Sequence, residues 1–311
     1  MADGRPNIVL LFADDQRFDT IRALGNSEII TPNLDALVAR GTAFTHASIM
    51  GGTSGAICMP SRAMLMTGRT LFHLDREGQD IPKEHVMMGE ALRSEGYRTF
   101  GTGKWHNGRS AFARSFSEGD RVFFGGMSDH YKVPLNPFDP EGLYPESRIY
   151  HEEKVHSSDL FSDAACTFLN DTDSDDPFFL YLSFTAPHDP RDTHPRYHAM
   201  YDLDTLTLPQ NYADQHPFDQ GDFDIRDEKL APWPRTPEIV REHLAAYYAM
   251  ITHLDDQVGT VLQALEASGK AANTIVVFAG DNGLAVGQHG LLGKQNMYDH
   301  SVRVPLVFAG P

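Results

Sequence analysis

The stretch Asn7-Ile8-Val9-Leu10-Leu11-Phe12-Ala13-Asp14-Asp15-Gln16 joins an uninterrupted apolar run to two adjacent carboxylates. An apolar run of this length without polar alternation is typical of a strand buried on both faces of a parallel sheet. Parallel sheets bind ligands beyond the carboxyl ends of their strands, so we expect Asp14 and Asp15 to lie at a functional edge. The stretch thus predicts an α/β fold and one part of a site.

Further apolar runs and helical patterns extend this prediction along the chain. The runs expected to form more buried parallel strands are 98–101, 178–184, 274–279 and 304–308. Helices are expected at 32–40, with Thr31 as N-cap and Pro32 at the first helical position, at 86–95, and within 238–267. Strands that alternate with helices predict a mostly parallel central sheet with helices on both faces.

We expect residues 1–311 to form one catalytic domain, with a long irregular segment at 185–237. That segment is rich in proline, aspartate, histidine and aromatic residues and shows little periodicity. Long loops without secondary structure in compact domains are usually functional or disordered. We interpret 185–237 as a loop at the rim of the substrate site, although a plain surface excursion would have the same composition.

Charge and cysteine content narrow the functional classes. The 311 residues carry a formal net charge of −17, which disfavours nucleic acid or an anionic membrane as a partner. Two cysteines, Cys58 and Cys166, exclude a disulfide framework. Cys166 lies in an amphipathic helical pattern at 160–169, and we expect it to be a buried small hydrophobe.

No apolar run reaches the length of a membrane span, and the first residues lack the pattern of a signal peptide. The sequence as it stands therefore predicts a cytoplasmic protein, or a periplasmic or secreted one if a signal has been removed.

Polar side chains also follow the other predicted strands. Lys104 and His106 follow the second strand, His188 the third, and Asp281 and Asn282 the fourth. With Asp14 and Asp15, the last pair supplies hard oxygen donors, and adjacent carboxylates repel each other unless a cation or a proton intervenes. We expect a Ca²⁺ site, and Mg²⁺ or Mn²⁺ would also suit these ligands.

The most specific motif is Cys58-Met59-Pro60-Ser61-Arg62-Ala63-Met64-Leu65-Met66-Thr67-Gly68-Arg69. It resembles the signature of the type I, formylglycine-dependent sulfatases of the alkaline phosphatase-like superfamily, which is Cys-x-Pro-Ser-Arg, a hydrophobic stretch and Thr-Gly-Arg. The resemblance runs from Pro6 to Pro311. Other blocks that carry it are 13–16, 103–106, 186–190, 280–283 and 287–294.

The resemblance implies the alkaline phosphatase-like sulfatase fold and the hydrolysis of a sulfate ester. In this family a separate maturation enzyme oxidises the matching cysteine, here Cys58, to formylglycine, which hydrates to a geminal diol. One diol oxygen, held by the cation, attacks sulfur and expels the alcohol, and the second hydroxyl then lets sulfate leave. Family members usually continue into a smaller C-terminal subdomain, which we expect this sequence to lack.

The same resemblance implies roles for five further residues. Arg62 is expected to hold the diol and the local negative charge, and Lys104 to bind the sulfate oxygens. His106 is expected to act as the base for sulfate release, and His188, with Lys294 beside it, as the acid that protonates the leaving alcohol. A further histidine, His289, is a weaker candidate for a place near the leaving group.

Several alternatives remain open at this point. The leading hypothesis is a carbohydrate sulfatase, because the run at 183–191 resembles members that act on sulfated sugars, but choline sulfatases have a similar run. A phosphonate or phosphate monoester hydrolase of the same superfamily is a second reading, and a non-catalytic fragment or binding protein is a third. The two-zinc phosphatases of the superfamily are disfavoured, because no second histidine-rich set follows the oxygen donors in the sequence.

Overall fold

A computed structural model describes residues 4–171, 174 and 176–311. Within these residues the chain forms a seven-stranded sheet with the spatial order β2-β7-β6-β1-β5-β3-β4. In chain order the strands are β1 (Asn7–Ala13), β2 (Thr42–Ala43), β3 (Arg98–Lys104), β4 (Glu118–Phe123), β5 (Phe178–Ser183), β6 (Thr274–Gly280) and β7 (Leu306–Ala309). The five strands from β6 to β4 in that order are mutually parallel. The mostly parallel sheet is therefore confirmed.

Helices cover both faces of the sheet. In chain order they are α1 (Pro32–Arg40), α2 (Cys58–Thr67), α3 (Met88–Ser94), α4 (Arg109–Ser115), α5 (Ser157–Asn170), α6 (Pro195–His198), α7 (Pro237–Ala267) and α8 (Asp299–Val302). Alternate residues of β1 enter two different cores. Val9 and Leu11 pack with side chains of α1, α5 and α7, whereas Leu10 and Phe12 pack with side chains of α2 and α4. The strand is buried on both faces because each face has its own helical layer.

The predicted helices form, with small differences at their ends. α7 begins one residue earlier than expected, and the side chain of Thr236 accepts a hydrogen bond from the Ile239 amide as its N-cap. α3 begins two residues later than expected, at Met88. Thr31 precedes α1 as predicted, but its hydroxyl donates to Asp35 and accepts from the Arg22 amide, so it does not cap the helix.

The prediction of a buried parallel strand at 304–308 was wrong. β7 runs antiparallel to β6, and its Phe308 side chain is 41% exposed. A parallel strand needs a crossover connection of a dozen or more residues, usually a helix. The connection from β6 to β7, residues 281–305, is long enough for a crossover, but it holds only the four-residue α8 and ends where it began. The Gly280 amide donates to the Pro305 carbonyl at 3.2 Å, so β7 starts at the carboxyl end of β6 and runs back in the opposite direction. The strand β4 at the other edge was not predicted, because its first four residues are only partly buried and polar or glycine.

Cys166 lies on α5 as expected but is half-buried, not buried. It packs at the margin of the core between α5 and α7. None of the helices in the described ranges combines the length and apolar character that crossing a bilayer requires.

Candidate active site

The carboxyl ends of β1 and β6 bring two acidic segments together. The two strands pair up to Ala13 and Gly280, and the next residues stay bonded, since the Asp281 amide donates to the Ala13 carbonyl at 3.1 Å. The Asp15 amide donates to Asp281 Oδ1 at 3.0 Å, and Asn282 Nδ2 donates to Asp15 Oδ1 at 2.6 Å. Asp15 adopts a φ of +66°, which turns the chain sharply after the strand. Residues 267 positions apart in sequence thus form one buried cluster.

Cys58 reaches this cluster from a different part of the chain. It is the first residue of α2 and is almost fully buried. Its Sγ lies 3.6 Å from Asp15 Oδ1, and the potential ligand atoms of Asp14, Asp15, Cys58 and Asp281 all lie within 4.8 Å of one another. Burial, followed by the charges of Asp14 and Asp281, raises the pKa of the Cys58 thiol well above its usual value. An unmodified thiol at this position is therefore held in its neutral form.

The acidic cluster has the composition of a site for a hard divalent cation. Asp14 Oδ1 and Asn282 Oδ1 are buried and find no hydrogen-bond partner in the described part of the chain, which is costly for oxygen atoms unless a ligand satisfies them. Burial, followed by repulsion from the charge of Asp14, raises the pKa of Asp281 to about 7, and a bound cation would relieve this repulsion. Several converging carboxylate and amide oxygens are the ligands that Ca²⁺ and Mg²⁺ prefer. The residues present fit such an ion.

Arg62 lies behind the acidic cluster and is completely buried. Its Nε and Nη2 atoms lie 3.0 and 2.9 Å from Asp281 Oδ2. Its Nη1 donates to the Lys104 carbonyl at 2.9 Å and to Ser183 Oγ at 2.6 Å. Arg62 therefore ties the cluster to the ends of β3 and β5.

Two lysines pair with two different carboxylates of the cluster. Lys104 is the last residue of β3, which is three residues longer than predicted, and its Nζ lies 2.5 Å from Asp14 Oδ2. Lys294 Nζ lies 2.6 Å from Asp15 Oδ1 and 3.2 Å from Cys58 Sγ. Together with Arg62, these lysines match the charge of the three carboxylates one for one.

The two predicted histidines occupy different surroundings. His188 is buried, donates from Nδ1 to the Asp189 carbonyl at 2.8 Å, and has Nε2 3.6 Å from Asp15 Oδ2. Burial lowers the pKa of His188 to about 4 despite the nearby Asp15. Among the described residues His106 makes no direct hydrogen bond to the other candidates. Burial, followed by the charge of Lys104, lowers its pKa to about 2, so its imidazole is neutral.

Residues of the long segment 185–237 bond to the neighbours of His188 and Lys294. Arg226 contacts both oxygens of Asp189, next to His188, and lies 2.5 Å from Asp227 Oδ1. Asp227 in turn accepts from the Gln295 side chain at 2.9 Å, next to Lys294. The sequence analysis missed these residues, because nothing in their local sequence indicates partners that lie some 40 to 70 positions away.

Glu228, in the same segment, shapes the loop that carries Lys294. Its carboxylate accepts from the amides of Leu292 and Gly293 at 3.1 and 2.7 Å and pairs with the buried Arg235 at 2.9 Å. No sequence signal predicted this role either, since a lone glutamate is by default a solvated surface residue.

A histidine-rich set that the sequence analysis did not identify lies elsewhere in the fold. His156, which caps α5, converges with Asp159 on α5 and His253 on α7, and His194 also bonds to Asp159, at 2.8 Å. Both ring nitrogens of His156 are already used, because Nδ1 accepts from the Ser158 amide and Nε2 donates to the Asp192 carbonyl. We therefore interpret this set as a hydrogen-bonded cluster.

His289 does not join the candidate site. It stacks on Tyr298 with ring centroids 4.1 Å apart, and its Nε2 lies 3.0 Å from Asn211 Nδ2.

A cavity of about 380 Å³ lies next to the candidate site, and Ile57 and Lys294 are among its lining residues. A volume of this size is within the range of small-molecule pockets.

Comparisons with known proteins give matches that extend along nearly the whole chain. The Sulfatase family model matches residues 6–311. The ulvan-active sulfatase of Formosa agariphila is 30% identical over 319 residues, which cover 99% of this chain and 56% of that protein. The multifunctional alkaline phosphatase superfamily protein PehA of Trinickia caryophylli is 30% identical, over 97% of this chain and 68% of its own length.

Among solved structures, the putative sulfatase yidJ from Bacteroides fragilis superposes with a TM-score of 0.79 at 25% identity, covering 100% of this chain and 69% of that chain. The match therefore extends through all the strands described above, although the chain spans little more than half of the ulvan-active sulfatase. With the match of nearly every residue to one family model, these findings show that the chain belongs to the sulfatase family.

Proposed function

We propose that this protein hydrolyses sulfate esters through a formylglycine nucleophile made from Cys58, with residues 1–311 forming its catalytic domain. The observation that carries the proposal is the convergence of Cys58 Sγ with carboxylate oxygens of Asp14, Asp15 and Asp281 within 4.8 Å. A nucleophile and three carboxylates meet there at the carboxyl edge of a parallel sheet, where α/β proteins bind ligands.

In this proposal Asp14, Asp15, Asp281 and Asn282 hold one divalent cation, with Ca²⁺ preferred and Mg²⁺ or Mn²⁺ as alternatives. When bound, the cation would stabilise negative charge on the formylglycine oxygen that attacks sulfur. The positive charges of Arg62, Lys104 and Lys294 balance the negative charges of the three carboxylates. A divalent cation would therefore make the site net positive, which favours an anionic ester even though the whole chain carries −17.

The proposed roles of the side chains follow from their positions. Lys294 lies beside the nucleophile and Lys104 beside Asp14, and both point charges act on Cys58, so they would bind sulfate oxygens and stabilise developing charge. Arg62 holds Asp281 in place from behind and adds positive charge. His106 is neutral, and among the described residues its buried Nδ1 has no hydrogen-bond partner, so this nitrogen is free to accept a proton during sulfate release. Because the pKa of His106 in the free site is about 2, the negative charge of the bound sulfate would have to raise it.

His188 is proposed as the acid that protonates the leaving alcohol. Its Nδ1 is bonded to the Asp189 carbonyl, which leaves Nε2 as the atom that faces the site. Because the pKa of His188 in the free site is about 4, His188 would have to gain its proton when an anionic ester binds. The ammonium group of Lys294 is the alternative proton donor.

A sulfated carbohydrate is the proposed class of substrate. The name of the ulvan-active sulfatase supports it, and so do the polar and aromatic residues of the segment 185–237, which we propose as the rim of the substrate site. The similarity to PehA favours a phosphonate or phosphate monoester as a second candidate, since that protein is described as multifunctional. Choline sulfate is a third candidate.

The test is to express the chain together with a formylglycine-generating maturation enzyme and to compare it with Cys58→Ala. Mass spectrometry of the peptide around Cys58 should show the lower mass of formylglycine. The matured protein should release sulfate from 4-nitrophenyl sulfate faster than phosphate from 4-nitrophenyl phosphate, and the variant should do neither. Equal rates in matured protein and variant would refute the mechanism. A faster phosphate reaction would favour the second candidate, and full maturation without turnover of either ester would indicate a catalytically incomplete protein.

A further inference from the structure

His130 lies outside the candidate active site but bonds to the segment that carries His188. It follows β4 in the chain and is 1% exposed. Its Nε2 lies 2.9 Å from the His188 carbonyl oxygen, and its Nδ1 lies 2.9 Å from Ser157 Oγ and 3.1 Å from Thr185 Oγ1. A carbonyl oxygen can only accept, so Nε2 must carry the hydrogen and Nδ1 must accept from a hydroxyl.

These contacts close a short turn at both ends. The His188 amide donates to the Thr185 carbonyl at 3.1 Å, which makes residues 185–188 a turn. His130 bonds to the hydroxyl at the start of this turn and to the carbonyl at its end. Ser157, the first residue of α5, joins in through Thr185 Oγ1 at 2.8 Å, and its amide donates to the His130 carbonyl. The turn is thus fixed to a helix by way of one imidazole.

The conformation of this turn decides where the His188 ring points. The His188 carbonyl cannot rotate while it accepts from His130, and the ring is restrained on its other side by the bond from Nδ1 to the Asp189 carbonyl. Nε2 is the ring atom left to face the cluster, 3.6 Å from Asp15 Oδ2. A general acid must lie within hydrogen-bond reach of its target, so a small rotation of this turn would reduce its effect.

We propose that His130 is a positioning residue that holds His188 in the orientation needed to protonate the leaving alcohol. This inference rests on the proposed role of His188 as the acid. His130 touches neither the nucleophile nor the carboxylate cluster, so its contribution is indirect.

The surroundings of His130 keep it in the neutral form that this bonding pattern requires. Its ring stacks on that of His156 with centroids 4.9 Å apart and an interplanar angle of 13°. Asp129, Asp189, His156 and His188 are the ionisable groups around it. Burial lowers the pKa of His130 to about 4, and a protonated ring could no longer accept at Nδ1.

The test measures how strongly turnover depends on the leaving group. A good leaving group such as 4-nitrophenol needs little protonation, whereas 4-methoxyphenol needs an acid. In His130→Leu we expect kcat/KM for 4-methoxyphenyl sulfate to fall at least about 10-fold more than that for 4-nitrophenyl sulfate, since general acid catalysis contributes about 10²–10⁴-fold. His130→Gln, which can still donate and accept, should recover most of the difference.

Two further variants separate the possible outcomes. His188→Ala should show the same preference for the better leaving group, and its absence there would overturn the acid role of His188 and this inference with it. If His188→Ala shows the preference but His130→Leu loses activity equally on both esters, or not at all, the inference fails and the proposed function stands. Thr185→Val is the milder variant if His130→Leu does not fold, and it should show a smaller effect in the same direction.

Discussion

Replacing Arg62 by methionine should destabilise the protein strongly, because it leaves a buried carboxylate without its partner. Arg62 has no exposed surface, and its guanidinium makes two contacts with Asp281 at 2.9 and 3.0 Å. It also donates to the Lys104 carbonyl and to the hydroxyls of Ser183 and Tyr181. Removing one partner of a buried ion pair costs about 3–5 kcal/mol.

Thermal unfolding followed by circular dichroism in the presence of a chelator would measure this cost. Domains of 150–250 residues lose about 2–4 °C in Tm for each kcal/mol, so at the lower end of that range Arg62→Met should lower Tm by about 6–10 °C. The exposed Arg69, at the end of the same motif, offers a matched control. Arg69→Met should change the free energy of unfolding by no more than about 0.5 kcal/mol, as is usual for surface positions.

A double-mutant cycle would test the physical reason. Arg62→Met combined with Asp281→Asn removes both charges, so no uncompensated charge remains buried. The double variant should therefore be more stable than the sum of the single losses predicts, by about 1–3 kcal/mol. Strictly additive losses, or a fall in Tm below 2 °C for Arg62→Met, would refute the view that this pair is a strongly coupled buried interaction.

Three further predictions concern cation binding, a glycine of the sheet and the loop that carries Lys294. The pKa of Asp281 is raised to about 7 and a bound cation needs the charged carboxylate, so Ca²⁺ binding should release close to one proton at pH 6. The apparent Ca²⁺ affinity should rise with pH up to about 7 and then level off. Calorimetry in buffers of different ionisation heat would measure the proton release, and a Ca²⁺ affinity that is constant from pH 5.5 to 7 would contradict the prediction. Gly103→Ala should lower Tm far more than Gly269→Ala. Both glycines have positive φ, but only at Gly103 would an added Cβ lie 1.9 Å from a backbone oxygen, that of Ser183. Similar losses of Tm in the two variants would mean that the backbone moves to relieve this clash. Glu228→Gln should speed hydrogen exchange at the amides of residues 292 and 293 and lower stability by about 1–3 kcal/mol, and unchanged exchange there would show that its charge is not needed.

The strands and helices with strong local patterns were predictable from the sequence. β1, β5 and β6 are continuous apolar runs, and α7 has a periodic apolar face, so their local composition specifies both the element and its burial. The direction of β7 was not predictable, because the composition of an apolar run does not indicate whether the strand is parallel or antiparallel to its neighbour. What decides it is that the preceding connection ends beside the carboxyl end of β6, where the Gly280 amide donates to the Pro305 carbonyl.

The candidate residues were predictable to the extent that they follow strands or lie in a recognisable motif. Asp14, Asp281 and Lys104 fall at strand ends, and Cys58 begins a specific signature. The residues that bond to the neighbours of His188 and Lys294 do not follow strands and belong to no recognisable motif. Arg226, for example, is one of many charged residues in an irregular segment, and only the folded chain brings it to Asp189.

By itself, the sequence determined the α/β class and the family resemblance and indicated candidate oxygen donors for a cation, since these depend on local composition and on fixed spacing within short motifs. The tertiary structure decided which charges neutralise which carboxylates, the direction of the last strand, and the part of the segment 185–237 in holding His188 and Lys294. The physical reason is that hydrogen bonds and ion pairs depend on distances of a few ångströms between atoms. When the partners are tens or hundreds of residues apart in sequence, those distances are fixed only by the packing of the whole chain.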